Sequence, residues 1–132
     1  MIKVIQPPAS EEELSNTGQA IVESALKFGM HIEPAGFLAA WVTGMRLIAK
    51  TNDANEIQAL AMMTYGRRWI ANDLTGTVLV YGGADKESVI ETLDFAKQIA
   101  AANGCRCVFI EETDVKVLPN GAVAHVVIEH IV

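Results

Sequence analysis

The sequence predicts one mixed α/β (α+β) domain spanning residues 1–132, and three observations predict it. At 132 residues, 51% of them hydrophobic, the chain is long enough to bury a single core. Strand and helix signals follow one another along it, separated by polar turns, with no internal repeat and no interdomain linker. Between Thr77 and Glu111 a strand, a helix and a strand follow in direct succession. Such a unit is a right-handed crossover with its two strands parallel.

Each element has its own local cause. Met1–Gln6 reads as a first strand, stopped by Pro7-Pro8, which cannot donate to a ladder. Ser10 precedes Glu11-Glu12-Glu13, an N-cap followed by acids in a first helical turn. Leu14, Ala20-Ile21, Ser24-Ala25 and Phe28 continue that helix with helical spacing, and Gly29 ends it. A second helix runs from Pro34 to about Thr43 and is apolar almost all round, as in a buried helix or one that covers an interface. Arg46–Lys50 is a strand, and Thr51–Asn55 a turn cluster.

The segment Glu56–Thr64 is ambiguous. Its composition favours a helix, with Asp53 and Glu56 as a capping pair, while alternation at Ile57, Ala59, Ala61 and Met63 permits a strand. Gly66–Ala71 and Asn72-Asp73 read as a strand end and a turn, and Thr77–Tyr81 as a strand rich in β-branched and aromatic residues. The clearest helix is Asp85–Ala102, with Val89, Leu93, Ala96 and Ala100 on one face, Ile90 and Ile99 flanking it, and Asn103-Gly104 as its stop. Cys105–Glu111 is the next strand, Pro119-Asn120-Gly121 a turn, and Ala122–Val132 a last long strand.

Charge and composition exclude several functions. The net charge is −6, and of the ten basic residues only Arg67-Arg68 are adjacent, so the basic stripe that nucleic acid requires is missing. The longest uncharged apolar run, Pro34–Met45, is too short to span a bilayer, and no signal peptide is visible. These features predict an unsecreted protein with no membrane partner. Cys105 and Cys107 share one face of a strand and read as buried reduced thiols rather than a disulfide or half of a zinc site. His125 and His130 fall on opposite faces of the last strand and His31 in an interhelical turn, so the histidines do not converge, and no metal site is expected. Arg67-Arg68-Trp69 stands out as a candidate partner-binding segment, because Arg and Trp are favoured at interaction hot spots. The alternative is a solvated hairpin tip with Trp69 folded onto the sheet.

The stretches "LIAKTNDANEIQALAMMTYG" (Leu47–Gly66), "DLTGTVLVYGG" (Asp73–Gly83) and "KESVIETLDFAKQIAAANGCRCVFIEE" (Lys86–Glu112) carry a resemblance that spans nearly the whole chain. In that order they resemble the second-to-third-strand hairpin, the fourth strand, and the central helix with the fifth strand of the GNAT family, the Gcn5-related N-acetyltransferases. The chain also resembles short phage-encoded acetyltransferase-like proteins. The resemblance implies a central mixed, mostly antiparallel sheet with helices on both faces, and it makes Ile57–Met63 a strand against local propensity. It further implies a cytoplasmic location in a host cell, or incorporation in a virion.

In the family, acetyl-CoA's pyrophosphate sits on the N-terminus of the central helix, where free backbone N–H groups meet a polyanion. The matching segment is Gly82-Gly83-Ala84-Asp85-Lys86-Glu87-Ser88. Here Gly82 and Gly83 would give close backbone approach, and Lys86 and Ser88 would contact phosphate. The family's Gln/Arg-x-x-Gly-x-Gly/Ala pattern is not met, and Asp85 and Glu87 occupy the first turn. Two like charges ~4 Å apart repel by roughly 1 kcal/mol in water and ~4 kcal/mol near a protein surface. Asp85 is also a natural N-cap, so the loop reads more readily as a plain turn into a helix.

The catalytic side is equally sparse. The strand Thr77–Tyr81 lacks the glutamate many family members use as base, which leaves Asp73 and Glu111 as candidates. No tyrosine lies between Glu112 and Ala124, where the family's acid would stand. The sequence therefore favours a non-catalytic interaction or structural module without cofactor, one that binds a protein partner or itself. The candidate contact residues are Arg67, Arg68, Trp69, Phe37 and Trp41. The alternative is a divergent acetyl-CoA-dependent N-acetyltransferase acting on an amine.

Overall fold

The computed structural model of the chain describes residues 1–117 and 123–131, with side-chain environments for residues 1–110. The predicted Pro119-Asn120-Gly121 turn lies outside the described residues. The elements run β1 (Ile2–Ile5), α1 (Glu11–Lys27), α2 (Pro34–Val42), β2 (Arg46–Thr51), β3 (Ile57–Arg68), β4 (Asp73–Gly83), α3 (Lys86–Ala102), β5 (Cys105–Val117) and β6 (Val123–Ile131). The six strands form one sheet in sequence order. All neighbours are antiparallel except β4 and β5, the pair joined through α3.

Local chemistry sets the helix ends. The Ser10 hydroxyl accepts the Glu13 amide at 3.4 Å, and at the other end of α1 Gly29 takes φ +76° while the Met30 amide returns to the Ala25 carbonyl at 3.0 Å. The Glu33 carboxylate caps α2, with Pro34 in its first turn. Asn103 and Gly104, the latter at φ +85°, close α3.

The helices cover both faces of the sheet. One core joins α1 and α2 to Leu47, Ala49, Leu60 and Met62. The other joins α3 to Ile48, Ala61, Met63, Val78, Val108 and Ile110. Alternate residues of β3 thus enter opposite cores. A strand buried on both faces reads as a continuous apolar run, which is why Ile57–Met63 is a strand despite its helical composition. The turn before it is built by Asn52, whose side chain accepts the Ala54 and Glu56 amides, rather than by an Asp53–Glu56 capping pair.

Other sequence expectations change as well. The buried seam of α3 is Ser88, Thr92, Ala96 and Ala100: Ala96 and Ala100 stand where the sequence puts them, while Ser88 and Thr92 take the buried places expected of Val89 and Leu93, which are half-buried. The Thr92 hydroxyl is satisfied within the helix, donating to the Ser88 carbonyl at 2.8 Å, so it can be buried, while Ile90 faces solvent. Phe37 and Trp41, expected as a contact surface, are 4% and 1% exposed. They stack at 5.4 Å and face the sheet, and the Trp41 indole N–H donates to the Ile5 carbonyl at 3.1 Å. With apolar residues all round α2, its two large rings at i and i+4 select the buried side. Finally, β5 does not end at Glu111 but continues to Val117.

Candidate functional site

The sheet opens in the middle of β4. Antiparallel pairing puts Met62 opposite Val80 but Met63 opposite Val78, so Leu79 is an extra, bulged residue. The bulge resets the alternation: Val78 and Tyr81 pack toward the α3 core, and Val80 toward the α1–α2 core. At the same point β4 leaves β5. Their parallel pairing covers Leu74–Val78, and among the described residues none follows, although β4 continues to Gly83. Beyond Val78, β4 stays paired with β3 through Gly83, while its β5 edge has no partner strand among the described residues. A groove of ≈ 330 Å³ lies alongside, lined by Phe28, Met30 and His31 after α1 and by Leu79, Val80 and Tyr81 of β4.

The N-terminus of α3 stands at the far end of this opening. Asp85 caps it: one carboxylate oxygen accepts the Ser88 amide at 2.7 Å, and the other accepts the Ser88 hydroxyl at 3.0 Å. These bonds, the backbone one first, hold the Asp85 carboxyl below its ordinary pKa. Lys50 reaches across from β2, donating to Ser88 Oγ at 3.2 Å and pairing with Glu91 at 2.8 Å. Its hydrogen bond to Glu91 raises its pKa against the opposing effect of burial. Ser88 itself is 3% exposed.

Neither a family model nor a curated protein matches the sequence. Solved structures do match. NAA60 of Arabidopsis thaliana, determined in complex with acetyl-CoA, superposes with a TM-score of 0.69 at 8% identity, covering 100% of this chain and 99% of that one. A GNAT family acetyltransferase of Staphylococcus aureus gives 0.65 at 10% identity, covering 96% and 93%. A probable acetyltransferase gives 0.64 at 11% identity over 86% and 80%.

The fold is GNAT-like.

Within this fold the predicted residues separate. Gly82 and Gly83 are not in a loop: they are the last residues of β4, paired with Leu60 and Ala59, and neither has positive φ. The space beside each is taken. A Cβ on Gly83 would meet Val89 Cγ2 at 2.8 Å, Ala59 Cβ at 2.9 Å and the Gln58 carbonyl oxygen at 2.9 Å. One on Gly82 would meet Met30 Cγ and Sδ at 3.0 Å. The glycines bring strand, helix and the segment after α1 together, a packing reason rather than a turn reason for their presence. The next amide, Ala84, donates to the Gln58 carbonyl at 2.8 Å. Ser88 is committed to Asp85 and Lys50, while Lys86 is exposed on the first turn of α3.

Two amides at this helix start are already taken. The Ala84 and Ser88 amides already have acceptors, and Asp85, Glu87 and Glu91 place three carboxylates near the Lys50 ammonium.

Asp73 lies at the opposite end of β4 from Gly83, ~33 Å away for a strand of this length. It binds Arg68 through two bonds, at 2.9 and 2.7 Å, and this pairing lowers its pKa. A base candidate and a partner-binding candidate are thus one ion pair. Glu111 is placed on β5 opposite Val127, and its side chain falls outside the described residues. Arg67 donates to Asn72 Oδ1 at 3.0 Å, bracing the β3–β4 tip. Trp69 is not folded onto the sheet: it is 84% exposed, beside a fully exposed Ile70.

The groove residues Phe28, Met30, Leu79 and Tyr81 were not singled out from sequence. Their only signal was the apolar segment around Gly29, because a bulge leaves no trace in composition. Among the described residues, no three His, Cys, Asp or Glu side chains gather as metal ligands. No described helix is long and apolar enough to cross a membrane.

Proposed function

We propose that the chain is a GNAT-fold interaction module that works without acetyl-CoA. One observation carries this reading. The helix terminus that would receive a pyrophosphate is closed by its own Asp85–Ser88–Lys50 network, with Gly82 and Gly83 packed against neighbouring side chains. A polyanion would have to displace Asp85 from the Ser88 amide and approach Glu87 as well. What the fold keeps is the sheet, both cores and a braced, exposed β3–β4 tip, the parts a binding module needs.

A second reading, an acetyl-CoA-dependent N-acetyltransferase acting on an amine, is favoured by the bulged β4, its divergence from β5 and the groove beside Leu79. Acetyl-CoA in the structurally similar NAA60 is consistent with it. The experiment that separates the two is thermal unfolding with 0–2 mM acetyl-CoA or coenzyme A, since any ligand of the folded state must raise Tm. The module reading expects Tm to stay within error. A saturable rise with acetyl-CoA rejects it and supports the transferase.

A further inference from the structure

The β3–β4 hairpin extends past its neighbour β2. Pairing with β2 ends at Met63, so residues 64–68 carry the hairpin about 16 Å further. At its end Trp69 and Ile70 are among the most exposed large apolar side chains of the described chain. They do not stand on a loose loop. Arg67–Asn72 and Arg68–Asp73 clamp the two strands below them, and Arg68 also lies over the Phe109 ring at 5.8 Å. A clamped turn holding an indole in water is pre-organised, so little further order is lost when it binds. Arg67 and Arg68 against Asp73 leave this tip with one net positive charge on a chain of net charge −6.

On the α1–α2 face two adjoining cavities, ≈ 310 and ≈ 400 Å³, share Val22. Gly18, Leu38 and Pro34 line the first and Leu26, 63% exposed, lines the second. The rim carries Glu23 and Glu33. An apolar slot with an acidic rim complements an apolar anchor with a basic base. On a chain of net charge −6, a basic tip meeting this acidic rim is electrostatically favoured over contact between two acidic faces.

We propose that the hairpin tip of one copy docks in the α1–α2 groove of a second copy, with Trp69 as the anchor and Arg67 facing Glu23. This names the partner of the interaction module proposed above and rests on that reading. The contact joins two different surfaces, so it closes only if both copies exchange tips and otherwise extends into longer assemblies. One Trp buries about 150–250 Å². A contact of this kind sits below the ~1,200 Å² of stable interfaces, so the association is expected to be weak.

The test is sedimentation velocity of the whole chain from 5 to 500 μM, alongside intrinsic fluorescence. The mean mass should rise above the 14.2 kDa monomer with concentration. Emission should shift to the blue as Trp69 leaves water, Trp41 being buried throughout. Trp69→Ala removes the tip and Leu26→Lys charges the groove. Both positions are exposed, and circular dichroism checks that each variant folds. Each alone should stay monomeric, and an equimolar mixture should recover a 1:1 dimer, because it restores one tip and one groove. A wild type that remains monomeric at 500 μM overturns the proposal, as does unchanged association of either variant or a mixture that stays monomeric. A Tm rise with acetyl-CoA in the same preparation would instead reject the module reading, so the two failures are distinguishable.

Discussion

Gly83→Ala and Gly82→Ala form a matched pair whose difference reports what the two glycines do. Neither has positive φ, so both variants gain about 0.4–1 kcal/mol from a less flexible unfolded chain. Their environments oppose that gain unequally. At Gly83 the new methyl falls within 3.0 Å of three atoms, one of them the Gln58 carbonyl oxygen, which accepts the Ala84 amide and cannot move without breaking the end of the sheet. Overpacking of this kind costs about 1–3 kcal/mol, and the backbone contact puts Gly83 near the top of that range. At Gly82 the nearest atoms belong to Met30, whose flexible side chain gives way. The net expectation is a loss of about 2 kcal/mol for Gly83→Ala, and a change within about 1 kcal/mol for Gly82→Ala. With roughly 3–4 °C per kcal/mol at this length, Gly83→Ala should lower Tm by about 7 °C. Calorimetry of the two variants measures it. Equal Tm values, or a larger loss at Gly82, would refute the packing argument.

Other outcomes follow from the same structure. Trp41→Phe should cost about 2–3 kcal/mol in urea unfolding, since it removes buried volume and leaves the Ile5 carbonyl without its donor, and its effect should appear in stability rather than in binding at fixed folded concentration. Asp85 and Asp73 have folded pKa values below their unfolded ones, so their contribution is complete above the unfolded value, near pH 3.9, and is lost as pH falls through the folded values. Tm measured from pH 6 to 2.5 should therefore fall more steeply below pH 4 for the wild type than for the Asp73→Asn, Asp85→Asn double variant; parallel curves would contradict this. Cys105 and Cys107 are buried, and burial pushes the Cys105 thiol pKa up, so Ellman's reagent should label both quickly in guanidinium and slowly in the native protein.

Sequence and structure agree where local chemistry decides. Ser10, Gly29, Asp85 and Gly104 mark helix ends by capping rules that need no tertiary context, and each stands where those rules put it. Ile57–Met63 shows the limit. Its helical composition yields to a position buried on both faces; alternation permitted a strand, and the resemblance over the whole chain decided for one. The α3 seam escaped because Ser88 and Thr92 look polar, yet each hydroxyl finds a partner at hand, Asp85 for one and the Ser88 carbonyl for the other. The groove was illegible for another reason. It exists because Leu79 is bulged and β4 separates from β5 after Val78, and both are properties of pairing, not of any one segment.

On the module reading proposed above, a GNAT-like frame would persist without acetyl-CoA, and the start of α3 gives a physical reason. The first turn of a helix has a fixed set of unpaired amides, and a side-chain carboxylate and a bound polyanion compete for them. A chain that relies on a ligand for those amides is stabilised only while the ligand is present. In this chain Asp85 supplies the acceptor from within, Lys50 ties Ser88 and Glu91 to β2, and Gly83 lets β4 close against Val89. The Ser88 amide then has its acceptor with no ligand bound. The groove beside Leu79 and Tyr81 is unaffected by that substitution, because it is formed by the bulge and the segment after α1, some distance along β4 from the cap. On the module reading, a filled helix start and the opening in the sheet are independent features, so the first does not require dismantling the fold.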